Sequence, residues 1–148
     1  MPTTTIFIGS SSAAKSQAKA VVKKFSSATL RFLPWWEAFT AGRTLLEELD
    51  RVKGKVDGAL LLFSPEAKTT IRKKRLDVPN LNVLFEFGYF YGVLGKQKVA
   101  MLKYGDFYLP SDLGGYVHIS GSTFFKRGAV VAVGKRTSDE FARWISQM

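Results

Sequence analysis

The 148-residue chain has no cysteine and one histidine, His118. The first absence excludes thiolate catalysis, thiolate metal sites and disulfides. The second excludes a metal centre built from several imidazoles, and no metal site is expected. There is no long hydrophobic run. The most apolar stretch, residues 78–95, contains Pro79, Asn80, Asn82, Glu86 and three glycines, too interrupted to span a membrane. The first nine residues hold no basic cluster and only a four-residue apolar run, so no export signal is expected and the cytoplasm is the simplest location. Neither GxGxxG nor GxxxxGK[ST] is present, which leaves Rossmann and Walker phosphate loops without support.

Acidic residues are missing from two segments. Lys plus Arg is 22 against 12 for Asp plus Glu, a net charge of +10. Residues 1–36 carry Lys15, Lys19, Lys23, Lys24 and Arg31 with no acid, and residues 67–76 carry Lys68, Arg72, Lys73, Lys74 and Arg75 with no acid. Residues 37–66 and 77–148 cancel, at −2 and +2. The surplus points to a polyanion, a phosphate-bearing ligand or an acidic partner without choosing among them. A run such as 68–75 is more often a solvated loop than a nucleic-acid grip, so nucleic acid is not the expected partner.

What is present describes a folded domain. Hydrophobic residues make up 46% and charged residues 23%, and a chain this long buries ~70% of its surface without a disulfide or metal staple. One domain is the default. Residues 4–9 read as a strand, Ser10–Ser12 as a loop and residues 13–26 as a helix with Ala14, Ala18, Val21, Val22 and Phe25 inward. A second strand is expected over 28–33, a loop with Trp35 and Trp36 over 34–42, and a helix over 43–53. Residues 56–63 are almost wholly apolar, as in a parallel strand covered on both faces. The spacing then predicts a basic connection over 66–79, a helix over 80–95 and a strand over 97–103. A fifth strand is expected at 115–119, with Ala129–Val133 as an extra candidate. Thr137-Ser138-Asp139-Glu140 has the form of a capping box opening a last helix. Alternating strands and helices predict an α/β domain with a parallel sheet. Its ligand crevice belongs at the carboxyl ends of the strands.

Glu86 is the residue that needs explaining. It is the only charged side chain between residues 78 and 95, on a helix that should be central. An unpaired carboxylate there costs several kcal/mol. Two readings stay open from the residues alone. Glu86 is a working group, with Asn82 one turn earlier on the same face as a hydrogen-bond donor. Alternatively it is a structural partner of a base such as Arg43, or reaches solvent at the helix start. Gly88 and Gly92 weaken that helix by ~1 kcal/mol each, which suggests close backbone or ligand approach.

The run Asn82-Val83-Leu84-Phe85-Glu86-Phe87-Gly88-Tyr89-Phe90, followed by Gly92 and Leu94-Gly95-Lys96, closely resembles the signature of bacterial TIR-like domains. These belong to anti-phage effectors of the CBASS and Pycsar type, where they are fused to STING, SAVED or other cyclic-nucleotide sensors. Leu109-Pro110-Ser111-Asp112-Leu113-Gly114-Gly115 and Gly42-Arg43-Thr44 are similar to further segments of that family. The resemblance covers roughly residues 4–145. It implies a flavodoxin-like TIR fold, with a mostly parallel five-stranded sheet flanked by helices, and residues 1–148 as a single TIR-like domain without its sensor.

The resemblance also implies an NAD+ glycohydrolase with Glu86 as the catalytic carboxylate and NAD+ as substrate rather than cofactor. Activity would depend on TIR–TIR self-association, under a cyclic-nucleotide sensor in cis or trans. Many animal and plant NAD+-cleaving TIR domains carry a Trp four residues before that Glu; here the position is Asn82. On this basis Phe7, Gly9, Ser10, Ser11, Arg43, Ser64 and Asn82 are the candidate substrate-binding residues. Ser10 and Ser11 would face the diphosphate at a helix start, and Phe7, Trp35 and Trp36 are ring candidates for nicotinamide. Two other functions remain in view: a non-enzymatic TIR adaptor working by self-association, and a nucleoside deoxyribosyltransferase-like enzyme, which also uses a glutamate at an N-glycosidic bond.

Overall fold

The computed structural model describes residues 2–110, 113, 118–121 and 133–148. Its centre is a five-stranded sheet in which every neighbouring pair is parallel. The strands are β1 (Thr4–Gly9), β2 (Leu30–Pro34), β3 (Gly58–Phe63), β6 (Val99–Lys103) and β7 (His118–Ser120), in the order β2-β1-β3-β6-β7. This is the expected α/β architecture. All six residues of β3 are buried, because helices cover both faces of the sheet.

Alternation along the strands divides the core in two. Ile6, Ile8, Leu60, Leu62 and Leu102 point to one side, where they meet α1 (Lys15–Phe25) and α5 (Lys135–Gln147) through Ala18, Val21 and Phe141. Phe7, Leu61, Phe63 and Met101 point to the other and meet α3 (Leu45–Val52) and α4 (Leu81–Leu94) through Leu49, Val52, Val83, Phe87 and Phe90. Each wholly buried Leu or Phe contributes ~1.5–3 kcal/mol, and β1, β3 and β6 each serve both clusters.

Side chains set the helix starts. Thr44 Oγ1 accepts from the Glu47 N–H at 3.2 Å at the head of α3. Asn80 Oδ1 accepts from the Asn82 and Val83 N–H groups, at 3.0 and 3.2 Å, at the head of α4. Such caps are worth ~1 kcal/mol each. Gly95, at φ 92°, ends α4 in a conformation that favours glycine.

Four local expectations are corrected. Residues 66–79 are not a loop: β4 (Ala67–Ile71) and β5 (Lys74–Val78) form an antiparallel hairpin. Residues 34–42 begin with a single helical turn, α2 (Trp35–Ala38). The capping box at 137–140 does not form. Helix α5 starts earlier, at Lys135, and Thr137 Oγ1 donates to the Ser120 carbonyl instead. Glu140 accepts from the Ser120 N–H at 2.6 Å, so both side chains tie α5 to β7. Helix α4 is not buried all round: Leu81 and Phe85 are half or more exposed. The candidate strand at Ala129–Val133, most of the fifth strand's expected start, and most of the Leu109–Gly115 segment lie outside the described residues.

Candidate active site

Helix α4 is anchored by Phe87 and Phe90 in the core below the sheet. That places Glu86, the residue before Phe87, at the carboxyl end of β1. Its carboxylate is 4% exposed, and Oε2 is buried with no hydrogen-bond partner. Burial pushes its pKa from the ordinary carboxylate value up to about 8, because a low-dielectric environment disfavours the charged form.

The expected neighbours of Glu86 stand elsewhere. Arg43 is half exposed; its Nε lies 3.8 Å from Glu48 Oε1, and among the described residues it forms no ion pair with Glu86. Asn82 is exposed, and its side chain forms no hydrogen bond among the described residues. Among the described residues, therefore, no structural ion pair accounts for the buried carboxylate.

Gly9 does lie beside it. A Cβ built on Gly9 would stand 2.5 Å from Glu86 Oε2, 2.5 Å from Leu61 Cδ1 and 3.0 Å from Phe7 Cε1. The missing side chain at the end of β1 is the space the carboxylate occupies. Phe7 forms the floor. It is wholly buried, with its ring centroid 4.9 Å from Phe90 and 5.7 Å from Phe39. Its ring offers no open face to a ligand, which removes it from the stacking candidates and gives it a packing role.

The loop after β1 is tied to α2. Trp35 Nε1 donates to Ser10 Oγ at 2.9 Å, and Ser10 Oγ donates to the Ser11 carbonyl at 2.9 Å. Ser11 Oγ accepts from the Ala14 N–H at 3.2 Å, which helps turn the chain into α1. Trp36 meets Trp35 edge to face at 5.8 Å, and Lys15 Nζ lies 5.8 Å from the Trp35 ring and 5.4 Å from the Trp36 ring. Ser64 follows β3 half-buried, with no hydrogen bond among the described residues. Gly9, Ser10, Ser11 and Ser64 thus cluster at the carboxyl edge of the sheet with Glu86, while Arg43 and Asn82 are turned to solvent. Gly88 and Gly92 make no close approach within the chain: beyond the helix's own backbone, nothing lies within 4 Å of where their Cβ atoms would be.

A second polar cluster is signalled in the sequence only by the i,i+3 spacing of Glu48 and Arg51. Glu48 is buried; it accepts from Thr40 Oγ1 at 2.7 Å and from Arg51 at 2.6 Å. The Arg51 and Thr40 hydrogen bonds hold its carboxyl below the usual range. Arg51 also donates to the Ala38 carbonyl, which ties α3 to the end of α2. Next to it, Tyr89 of α4 donates to Asp50 of α3. Desolvation and that carboxylate push the phenol up to about 12. Among the described residues no group of His, Asp and Glu is arranged to hold a metal ion, and no helix is long and apolar enough to cross a membrane.

The model of the CAP12/Pycsar effector protein TIR domain matches residues 5–123, from β1 past β7. The chain belongs to that family. Its Glu-bearing helix and the β1 edge both fall within the matched region. Among curated relatives, the chain is 35% identical over 110 residues to a CD-NTase-associated protein 12 from Lachnospiraceae bacterium (strain RUG226). That alignment covers 74% of this chain and 35% of the relative. A second protein of that name, from Sphingobacterium faecium, is 33% identical over 110 residues, 74% of this chain and 34% of its own length. The Pycsar effector protein PaPycTIR from Pseudomonas aeruginosa is 35% identical over 92 residues, 60% of this chain and 30% of its own. The TIR domain thus spans about a third of the length of the relatives it matches.

Proposed function

We propose that this TIR domain is the NAD+-cleaving effector unit of an anti-phage system, switched on by self-association under a cyclic-nucleotide-sensing partner in cis or trans. The observation that carries the reading is the Glu86 carboxylate, buried and unpartnered over Gly9. The names of the relatives, CD-NTase-associated protein and Pycsar effector, support the signalling context.

One carboxylate is enough for this chemistry. In NAD+ the nicotinamide ring is already cationic, so it leaves without a general acid. The bond between ribose C1′ and the pyridinium nitrogen breaks, and its electron pair neutralises the ring. Positive charge develops on the ribose, as in other glycosidic cleavages. An ionised Glu86 at the ribose stabilises that charge most strongly because its surroundings hold no competing partner. Water then adds its oxygen to C1′ and releases a proton, giving ADP-ribose. The Ser10 and Ser11 loop at the head of α1 is suited to the diphosphate.

The test is to incubate the concentrated chain with NAD+, with and without enforced clustering, and follow nicotinamide release. Turnover that Glu86→Gln abolishes supports the reading. Equal rates in the two proteins, or no turnover even when clustered, overturn it, and the second outcome favours a non-enzymatic adaptor.

A further inference from the structure

The β4–β5 hairpin stands off the body of the domain. Lys68 to Thr70 and Arg72 to Arg75 are all exposed; one face carries the half-buried Ile71, Leu76 and Val78, and the other, with Lys68, Thr70, Arg75 and Asp77, is open. Its base is held by the Glu66 N–H on the Val78 carbonyl (3.0 Å) and the Tyr108 N–H on the Asp77 carbonyl (2.7 Å). A two-stranded ribbon with one face only half-buried and the other open is marginal in water. The turn adds strain, because Arg72 and Lys73 sit at φ 50° and 67°, a region non-glycine residues seldom occupy. A two-residue hairpin turn of this kind needs positive φ at both central positions, and here the two positions at the exposed tip are cations. Of the ribbon's five bases only Lys68 has an ionic partner, Asp77 at 3.9 Å. Arg72, Lys73, Lys74 and Arg75 have none among the described residues.

A complementary surface lies on α2 and α3 of the same chain. Between residues 37 and 50 there are four acids, Glu37, Glu47, Glu48 and Asp50, and one base, Arg43. Glu48 is engaged by Arg51 and Arg43, and Asp50 by Lys53 and Tyr89. Glu37 and Glu47 are exposed and have no ionic partner among the described residues. Next to Glu47, Leu46 is 49% exposed. The Arg51 bond to Ala38 ties α2 to α3, so Glu37 and Glu47 are carried on one connected unit.

The ribbon does not use this surface within its own molecule. It leaves the sheet after β3 and is tied to the segment after β6, whereas α2 and α3 follow the edge strand β2 on the other side of β1. No ion pair joins the two among the described residues.

We propose that the basic hairpin docks on the acidic α2–α3 surface of a second copy of this chain. Each copy offers one ribbon and one acidic surface, so the contact is heterologous and association continues head to tail. The proposal deepens the self-association reading above and rests on it. Nucleic acid would satisfy the ribbon's cations but leaves Glu37, Glu47 and Leu46 unaccounted for; a second copy accounts for both halves. Copies carrying +10 repel at a distance, so the attraction is local and weakens as salt screens it. Because β5 runs directly into the Asn80 cap of α4, a docked ribbon also steadies the helix that carries Glu86.

Sedimentation of the 148-residue chain at low salt, without NAD+, tests the contact. The expected result is concentration-dependent association that weakens as salt rises. Arg72→Glu with Lys73→Glu, or Glu37→Lys with Glu47→Lys, should each weaken it by about tenfold or more, with melting curves confirming that both variants fold. Mixing the two variants pairs an acidic ribbon with a basic surface and a basic ribbon with an acidic surface, and should restore association. A chain that stays monomeric to about 1 mM, the weak limit of specific binding, overturns the inference. So do reversals without effect, a mixture that does not associate, or a ribbon needed only to retain a duplex oligonucleotide. Sedimentation is blind to turnover. A chain that assembles this way but releases no nicotinamide keeps the contact and loses the catalytic reading; a clustered enzyme indifferent to all four reversals does the opposite.

Discussion

The Oε2 atom of Glu86 stands 2.5 Å from the point a Cβ on Gly9 would occupy. The helix that carries the buried carboxylate and the strand that ends beneath it therefore fix one another. Gly9 has no positive φ, so the requirement is one of space rather than backbone conformation. Gly9→Ala should cost ~1–3 kcal/mol as an overpacking change and lower NAD+ cleavage by displacing the carboxylate. Thermal melting and nicotinamide release check the two effects. Because Leu61 and Phe7 also crowd that point, the stability loss should persist in Glu86→Ala. Full relief in that background would mean the carboxylate alone sets the fit.

Glu86 also predicts a pH profile. Its pKa in the free domain is about 8, and the ionised form is the one that stabilises positive charge on the ribose. The kcat/KM for NAD+, which reports the free enzyme, should rise about tenfold per pH unit below that pKa and level off above it. The kcat profile should bend at a lower pH, because the bound pyridinium ribose favours the carboxylate. Profiles flat from pH 6 to 9 would remove Glu86 from the ionising step.

Stability should run the other way with pH. A folded-state pKa raised from 4.5 to about 8 means the unfolded chain binds fewer protons than the native one between those values. The native state is favoured most below 4.5 and loses that advantage as pH rises through about 8. At ~1.4 kcal/mol per unit, the loss is roughly 3–5 kcal/mol between pH 5 and 9. Glu86→Gln should flatten this dependence, so denaturant midpoints of the two proteins should diverge towards alkaline pH.

What the sequence revealed of this site, and what it concealed, follows from distance along the chain. The apolar run of β3 and the lone charge in α4 are local patterns, and both were legible. The contact of Glu86 with Gly9 joins segments far apart in sequence, and nothing in either segment names the other. The same holds for Trp35 on Ser10. The hairpin was hidden for a different reason. Its turn uses Arg72 and Lys73 at positive φ, where the usual signal is Asn-Gly or Asp-Gly, and the alternation of its strands rests on only Ile71, Leu76 and Val78. Thr137 and Glu140 had the spacing of a helix cap, yet both side chains are taken by Ser120 of β7. Tertiary partners outcompeted the local cap.

The Glu48 cluster should govern acid stability. Hydrogen bonds from Arg51 and Thr40 hold its carboxyl below the ordinary range. Its stabilisation is therefore present above pH 4.5 and is lost as pH falls through the lowered value. Glu48→Gln should destabilise the domain at neutral pH, because Arg51 keeps its charge while its Nε already lacks a partner. The difference between the two proteins should shrink on acidification. Chemical denaturation at pH 7 and pH 3 checks it, and a difference that grows towards pH 3 would refute the assignment.

The hydrogen bond from Trp35 to Ser10 is the last link to test. It joins α2 to the loop after β1 at 2.9 Å, and that loop is the proposed seat of the diphosphate. Trp35→Phe keeps an aromatic ring but removes the donor, and Ser10→Ala removes the acceptor. Each change should cost ~0.5–1.5 kcal/mol, and the double variant should cost less than their sum, because both changes delete one bond. If the bond orders the loop for NAD+, either change raises KM more than it lowers kcat. Additive stability losses would show that the bond contributes nothing in solution, and an unchanged KM would separate the loop from substrate binding.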